Sequence, residues 1–380
     1  MRPPVLKLIA ATFIFISITS AVNAQVDRIN VVTTAVPFLR IQTDARSAGM
    51  GDLSLATNPD ANASLTNLGK VPFNISKGGI SVSYTPWLKD ILNDVYLAAL
   101  AGYYKVDDMQ AISGSLRYFS LGNIQFTDNL GNDLNTFRPK EFGIDLGYSR
   151  KLSNKSGVGV GLKYINSNLA SGPAAGNNYK AASAVAGDLS YYYNGHNDLG
   201  QGWAFGATLS NLGSKIAYTD NADQKDYIPA NLGFGTTYTR VFNTSNKISF
   251  GADLNKLLVP TPPADPATQA QLDAYRSKGV VGSWFSSFGD APGGFGEEIK
   301  EFQVSVGGEY WYNDQFALRA GYFYENKFKG NRRYFTMGVG VKYNTFGLNF
   351  SYLLPSGSGV DRNPLSNTLR FSLLFDIDDK

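Results

Sequence analysis

Residues 334–354 read YFTMGVGVKYNTFGLNFSYLL. In the first half, Phe335, Met337, Val339, Val341 and Tyr343 fall on one face, and Thr336, Gly338, Gly340 and Lys342 on the other. The second half repeats this, with Phe346, Leu348, Phe350 and Tyr352 against Gly347, Asn349 and Ser351. A period of two means extended chain with one face against an apolar phase. The two halves are joined by only a short polar step, Asn344-Thr345. The pattern is a hairpin whose outer face is oily and whose inner face is small and polar.

The same alternation recurs along the chain, as in GVGVGLKY, where Val158, Val160, Leu162 and Tyr164 oppose glycines and Lys163. Fourteen such segments are expected, near 79–87, 94–105, 110–121, 140–151, 156–169, 181–193, 203–213, 228–241, 247–257, 302–313, 315–325, 333–344, 345–354 and 366–377. Many have the ~9–11 residues a tilted membrane strand needs. Short and long connections alternate between them. The short ones include DDMQ, SNKS, FNTSNK, YNDQ and YNTF, with NGHNDLGQG somewhat longer. The long ones include 122–139, 170–180, 214–227, 258–301, 326–332 and 355–365. Tight periplasmic turns and longer outer loops are the habit of an outer-membrane barrel. The expected fold is therefore an all-β, antiparallel transmembrane barrel of about fourteen strands.

Composition agrees. Aromatic residues make up 13%, with 22 Tyr, 24 Phe and 40 Gly, while charged residues are only 17%; a typical soluble domain carries about 25%. At the amino end Arg2 and Lys7 precede the short apolar run LIAATFIFISI, and Val22 and Ala24 fit the −3 and −1 positions of a signal-peptidase site. Residues 1–24 are expected to be a cleaved signal peptide. Losing Arg2 and Lys7 takes the net charge from 34 − 31 = +3 to 32 − 31 = +1. That near-neutral balance gives no case for nucleic acid. The chain has no cysteine and one histidine, His196, set in a polar turn. Thiolate chemistry is excluded, and no catalytic, metal or cofactor constellation is expected.

Before the first strand, residues 44–69 read DARSAGMGDLSLATNPDANASLTNLG, with Arg46 as their one basic residue. A fourteen-stranded barrel is too wide for its own side chains to fill. Small polar residues with turn-forming Asp, Asn and Gly suit a segment folded into its lumen. Asp44, Arg46, Gly49, Gly51, Asp52, Asn58, Asp60 and Asn62 are the expected plug residues, within a segment spanning 25–78 that starts on the periplasmic side. Residues 79–380 then form the barrel. Arg117, Asp145, Asp253, Glu309 and Arg319 are expected to face the lumen, as structural ion pairs.

The long connection 258–301 opens with Pro260, Pro262 and Pro263. Asp265 is the expected N-cap of a helix near 267–278 that Gly279 ends. After it, Trp284, Phe285, Phe288 and Phe295 lie between glycines, outside the cell by the strand count. They either cap the barrel mouth or bind a partner, and the residues alone leave both open.

The stretch TTAVPFLRIQTDARSAGMGDLSLATNPDANASLTNLGKVPF (Thr33–Phe73), with its motifs DARSAGMGD and NPDANAS, resembles the amino-terminal segment of the PorV family. So does SWFSSFGDAPGGFGEEIKEF (Ser283–Phe302). These are outer-membrane barrels of the Bacteroidetes type IX secretion system, with PorQ and the FadL-type fatty-acid channels as wider relatives. The resemblance implies a non-enzymatic, FadL-like barrel in outer-membrane lipid. It implies binding to the large translocon pore protein and receipt of secreted proteins bearing a carboxy-terminal signal domain. Those proteins would pass to a sortase-like surface-attachment complex. It also tips the four aromatics toward partner binding. The alternative is a FadL-like channel for fatty acids or other hydrophobic solutes. Two departures stand out. Asn67-Leu68-Gly69 replaces the relatives' Asn-Pro-Ala, and the last strand runs past Phe375 into DIDDK.

Overall fold

The computed structural model describes residues 29–87, 94–127, 130–170, 172–174, 177–220, 225–263, 266–356 and 367–378. The expected signal peptide, residues 1–24, lies outside them. Eighteen strands follow in order: β1 (Gly78–Pro86), β2 (Val95–Lys105), β3 (Gln110–Leu121), β4 (Ile124–Thr127), β5 (Asp133–Phe137), β6 (Lys140–Lys151), β7 (Ser156–Asn168), β8 (Gly172–Ala174) and β9 (Asn177–Tyr179). Next come β10 (Ala182–Asn194), β11 (Gly202–Gly213), β12 (Asn231–Asn243), β13 (Asn246–Leu257), β14 (Gln303–Tyr312), β15 (Phe316–Tyr324), β16 (Arg333–Tyr343), β17 (Phe346–Pro355) and β18 (Leu369–Ile377).

Fourteen of these strands close into one antiparallel barrel, each beside its sequence neighbour, with β1 sealing against β18. The remaining four make two small hairpins, β4–β5 and β8–β9, within the connections 122–139 and 170–180. Alternation sets the faces. Along β1, Ile80, Val82 and Tyr84 are exposed while Ser81, Ser83 and Thr85 are buried. On β16, Phe335, Met337, Val339 and Val341 point outward, and Tyr334 and Thr336 inward. The exposed apolar face runs round the wall and suits lipid contact.

What fills the lumen is the chain before β1. Helix α1 (Ala45–Ala48) and three 3-10 turns (Pro37–Arg40, Ala61–Leu65 and Leu68–Phe73) are almost wholly buried against the inner wall. The direction of this segment differs from expectation. Its first described residues lie at the long-connection end, where Asn30 N donates to Phe328 O and Ala35 N to Tyr227 O. It leaves at the short-turn end, where Lys105 Nζ donates to the Asn74 carbonyl at 2.9 Å. The reason is apolar burial. Val32 packs on Tyr227, Leu257 and Val259, while Val36 and Phe38 join Trp87, Val95, Leu97 and Phe119. That apolar lining lies beneath the long connections.

Candidate functional site: a locked plug and an aromatic surface

Ion pairs and backbone caps hold the plug. The Asp44 carboxylate caps α1, accepting from Arg46 N and Ser47 N, both at 2.9 Å, and from Asn62 Nδ2 at 3.1 Å. Arg46 forks onto Glu309 of β14 at 2.9 and 2.8 Å and reaches the Asp60 carboxylate and Asn58 carbonyl with its other nitrogen. Arg319 of β15 meets the same Glu309 at 2.6 Å. One buried carboxylate thus sits between two guanidinium groups, one from the plug and one from the wall. Removing it would leave Arg319 buried with only the neutral Asn349 amide and Arg46 with Asp60 as its only acidic partner among the described residues, which is far costlier than losing a surface pair.

The other lumen charges divide. Asp253 accepts from Ser54 N at 2.7 Å and Leu55 N at 2.9 Å, so a wall carboxylate satisfies plug backbone. Arg117 donates to the carbonyls of Leu39 and Leu65. Asp145, by contrast, pairs within the wall, 3.1 Å from Lys163. Asp52 accepts the Tyr334 hydroxyl at 2.6 Å, and Gly51 N donates to Thr336 Oγ1. Burial in this segment lowers Lys70 to about 8; among the described residues its ammonium donates only to Ser54 O and Thr57 Oγ1.

Inward glycines of the wall form sockets for plug residues, side chain and backbone alike. A Cβ added at Gly147, Gly159 or Gly161 would stand 2.6, 2.3 or 2.9 Å from Leu68. At Gly307 and Gly321 it would meet the Met50 backbone at 2.2 and 2.0 Å. Gly206 and Gly235 receive Leu55 in the same way. Leu68 is the middle residue of the departure from Asn-Pro-Ala, so the altered motif is what the sockets fit. Sequence reading assigned these glycines only to a polar inner face. Their clustering on alternate positions of β7 was the available signal.

Above the plug, the connection between β13 and β14 carries α2 (Gln269–Ser277), α3 (Val280–Ser286) and α4 (Phe295–Glu298). The N-cap of α2 is Thr268, in a reciprocal capping box with Gln271. That replaces the expected Asp265, which lies outside the described residues; only a side chain three residues before Gln271 can close the box. Gly279 does not cap α2 but is the N-cap of α3. Tyr227 ties the helix down, its hydroxyl donating to Lys278 O at 2.8 Å.

Of the four candidate aromatics, Phe285, Phe288 and Phe295 are 75%, 46% and 79% exposed, whereas Trp284 is half-buried. Val281 lies one turn before Phe285, and Ile299 one turn after Phe295; both are exposed. They widen the apolar surface, and only the helical spacing seen in the structure brings these aliphatic residues beside the aromatics. Beneath it the connection is rigidly anchored. Lys256, buried at the top of β13, lies 2.7 Å from Glu298 and 2.6 Å from Glu301. Lys329 contacts Glu297 at 2.6 Å and Glu301 at 2.9 Å. His196 is half-buried in its turn at the opposite end of the barrel. No metal-holding group of acidic or histidine side chains occurs among the described residues.

Solved structures share this architecture. The Ralstonia pickettii toluene transporter TbuX is similar with a TM-score of 0.53 at 12% identity, over 88% of this chain and 98% of its own. The monoaromatic hydrocarbon channel CymD gives 0.51 at 12% identity, over 89% and 98%. A Pseudomonas aeruginosa FadL homologue gives 0.46 at 11%, over 91% and 99%. No curated protein sequence matches the chain. The family model described as "Type IX secretion system protein PorV" matches residues 23–264, well over half the chain. A closed fourteen-strand barrel matched over most of its length by that family model, the chain belongs to the PorV family of type IX secretion system proteins and is an outer-membrane protein.

Proposed function

We propose that this protein is the non-enzymatic docking component of a type IX secretion apparatus. It binds the large translocon pore and accepts secreted proteins bearing the carboxy-terminal signal domain. It then delivers them to the sortase-like attachment complex. On this reading residues 1–24 are the export signal, 25–78 the plug, and 79–380 the barrel, with 258–301 outside the cell. The observation that carries it is the exposed surface of Val281, Phe285, Phe288, Phe295 and Ile299 on a connection fixed by buried ion pairs. Exposed apolar groups on a rigid scaffold are costly alone and favourable under a partner, because little ordering remains at binding.

The second reading, a channel for hydrophobic solutes, is favoured by the likeness to the toluene transporter TbuX. Glycine sockets that fix Met50, Leu55 and Leu68 against the wall count against it. The deciding test is a Phe285→Ala, Phe288→Ala double variant, purified from native membranes with its barrel checked by heat-modifiability. Central aromatics are often worth ~2 kcal/mol or more each, so pore association should weaken by roughly ten-fold to a thousand-fold. Phe350→Ala on the lipid face is the control. Undiminished association would sink the docking role of this surface.

A further inference from the structure

Between the upper plug and the wall lies a cavity of about 160 Å3. Its charged lining comprises Arg40, Arg117, Lys163 and Arg332, with Asp52 and Asp188. Most of these charges are matched. Lys163 is 3.1 Å from both Asp145 and Asp188. Asp52 accepts the Tyr334 hydroxyl and lies 3.8 Å from Arg370. Arg332 takes both oxygens of Glu325, at 2.8 and 2.9 Å.

Two guanidinium groups are left over. Arg40 reaches Glu325 with one N–H at 3.4 Å and meets no other acceptor among the described residues. Arg117 donates to the carbonyls of Leu39 and Leu65, at 2.7 and 2.6 Å, and to no carboxylate. Leu39 and Arg40 are consecutive, so both cations flank one turn of the plug. The Arg40 side chain keeps 19% of its surface exposed, and its remaining donors are accessible. A guanidinium with free, accessible N–H groups in a low-dielectric lumen is a receptor for an oxyanion, best met by two parallel bonds.

We propose that this cavity binds a small carboxylate, its oxygens on Arg40 and its carbon body against Leu55, Leu65 and Phe323. Volume sets the scale, since a cavity of about 150 Å3 holds benzene; a one-ring acid fits. Inorganic phosphate offers the same oxygens, but the apolar part of the lining favours a ligand with carbon. A macromolecular carboxylate is disfavoured because a cavity of about 160 Å3 between the plug and the wall holds one small molecule, not a chain.

The test is binding of 4-fluorobenzoate to the full-length barrel in detergent, followed by fluorine NMR, with inorganic phosphate as a parallel ligand. Saturable 4-fluorobenzoate binding is expected, tighter than phosphate. Arg40→Gln should weaken it at least ten-fold, Arg40→Lys should restore part of it, and Lys155→Gln in a distant turn should not change it. Arg40 makes one long bond, so its loss should spare the fold; heat-modifiability checks this. Arg40→Lys at wild-type affinity with Arg40→Gln misfolded would still support a cation-dependent site. Phosphate binding more tightly would overturn the carboxylate assignment. No saturable binding by the wild type, or equal binding by a folded Arg40→Gln, would overturn the site.

Discussion

Gly51→Ala tests how firmly the plug is fixed. Gly51 has φ +70, a left-handed conformation that costs an L-residue roughly 1–2 kcal/mol. The added Cβ would also stand 2.6 Å from Tyr322 N and 2.7 Å from its carbonyl carbon and oxygen. These are backbone atoms of β15, held by pairing on both sides, so the plug must yield. Overpacking of this kind costs about 1–3 kcal/mol, and the two together about 2–5 kcal/mol. The penalty falls on Met50–Leu53 and spares the barrel, whose strands pair without the plug. Hydrogen exchange of the Gly51–Leu55 amides in detergent should therefore accelerate by about 30-fold to several thousand-fold, at ~1.4 kcal/mol per decade. Gly289→Ala, with open space around it and no positive φ, is the neutral control. Exchange within three-fold of wild type, with the barrel intact, would refute the idea that this contact locks the plug.

Deleting Asp44–Gly69 should leave a heat-modifiable barrel that conducts small hydrophilic solutes in planar bilayers; conductance no higher than wild type would mean other residues seal the lumen. Thr268→Ala removes the capping box of α2 and should cost about 1 kcal/mol, read as faster amide exchange confined to 269–277. Acid should loosen the mouth. Burial raises Glu297 and Glu325, but hydrogen bonds and charge from Lys329 and Arg332 outweigh it and hold both below the usual carboxylate value. Their stabilisation is complete above about pH 4.5 and is lost as pH falls through the lowered folded-state values. Fluorescence of a variant retaining only Trp284 should stay flat from pH 7 to 5 and change below about 4; a transition centred near pH 6 would contradict the assignment.

Much of the fold was legible because a period of two leaves little freedom. All fourteen expected segments are barrel strands, with ends within three residues, the largest gaps falling at 228 against Asn231 and 366 against Leu369. The short polar steps fixed the turns. What stayed hidden depends on which partner a side chain meets, and alternation is blind to that. It placed Arg117 and Asp253 in the lumen but could not say that each binds plug backbone rather than an opposite charge. It marked glycines as inward without revealing that they are receptacles for Leu68 and Met50. The entry of the plug from the long-connection end was equally out of reach, because Val32 and Phe38 follow a buried apolar lining supplied by residues far along the chain.

The route of that amino-terminal segment constrains assembly. It runs the length of the lumen and then turns into β1, the strand whose pairing with β18 seals the wall. Its backbone and side chains press against wall glycines with no room for an added Cβ, so it is more readily placed while the sheet is still open than threaded into a closed cylinder. Leu68 is seated by β7 and Leu55 by β11, while Met50 waits for β14 and β15. The same stretch that occupies the centre therefore leads directly into one lip of the seam, so filling the lumen and closing the wall draw on one continuous run of chain.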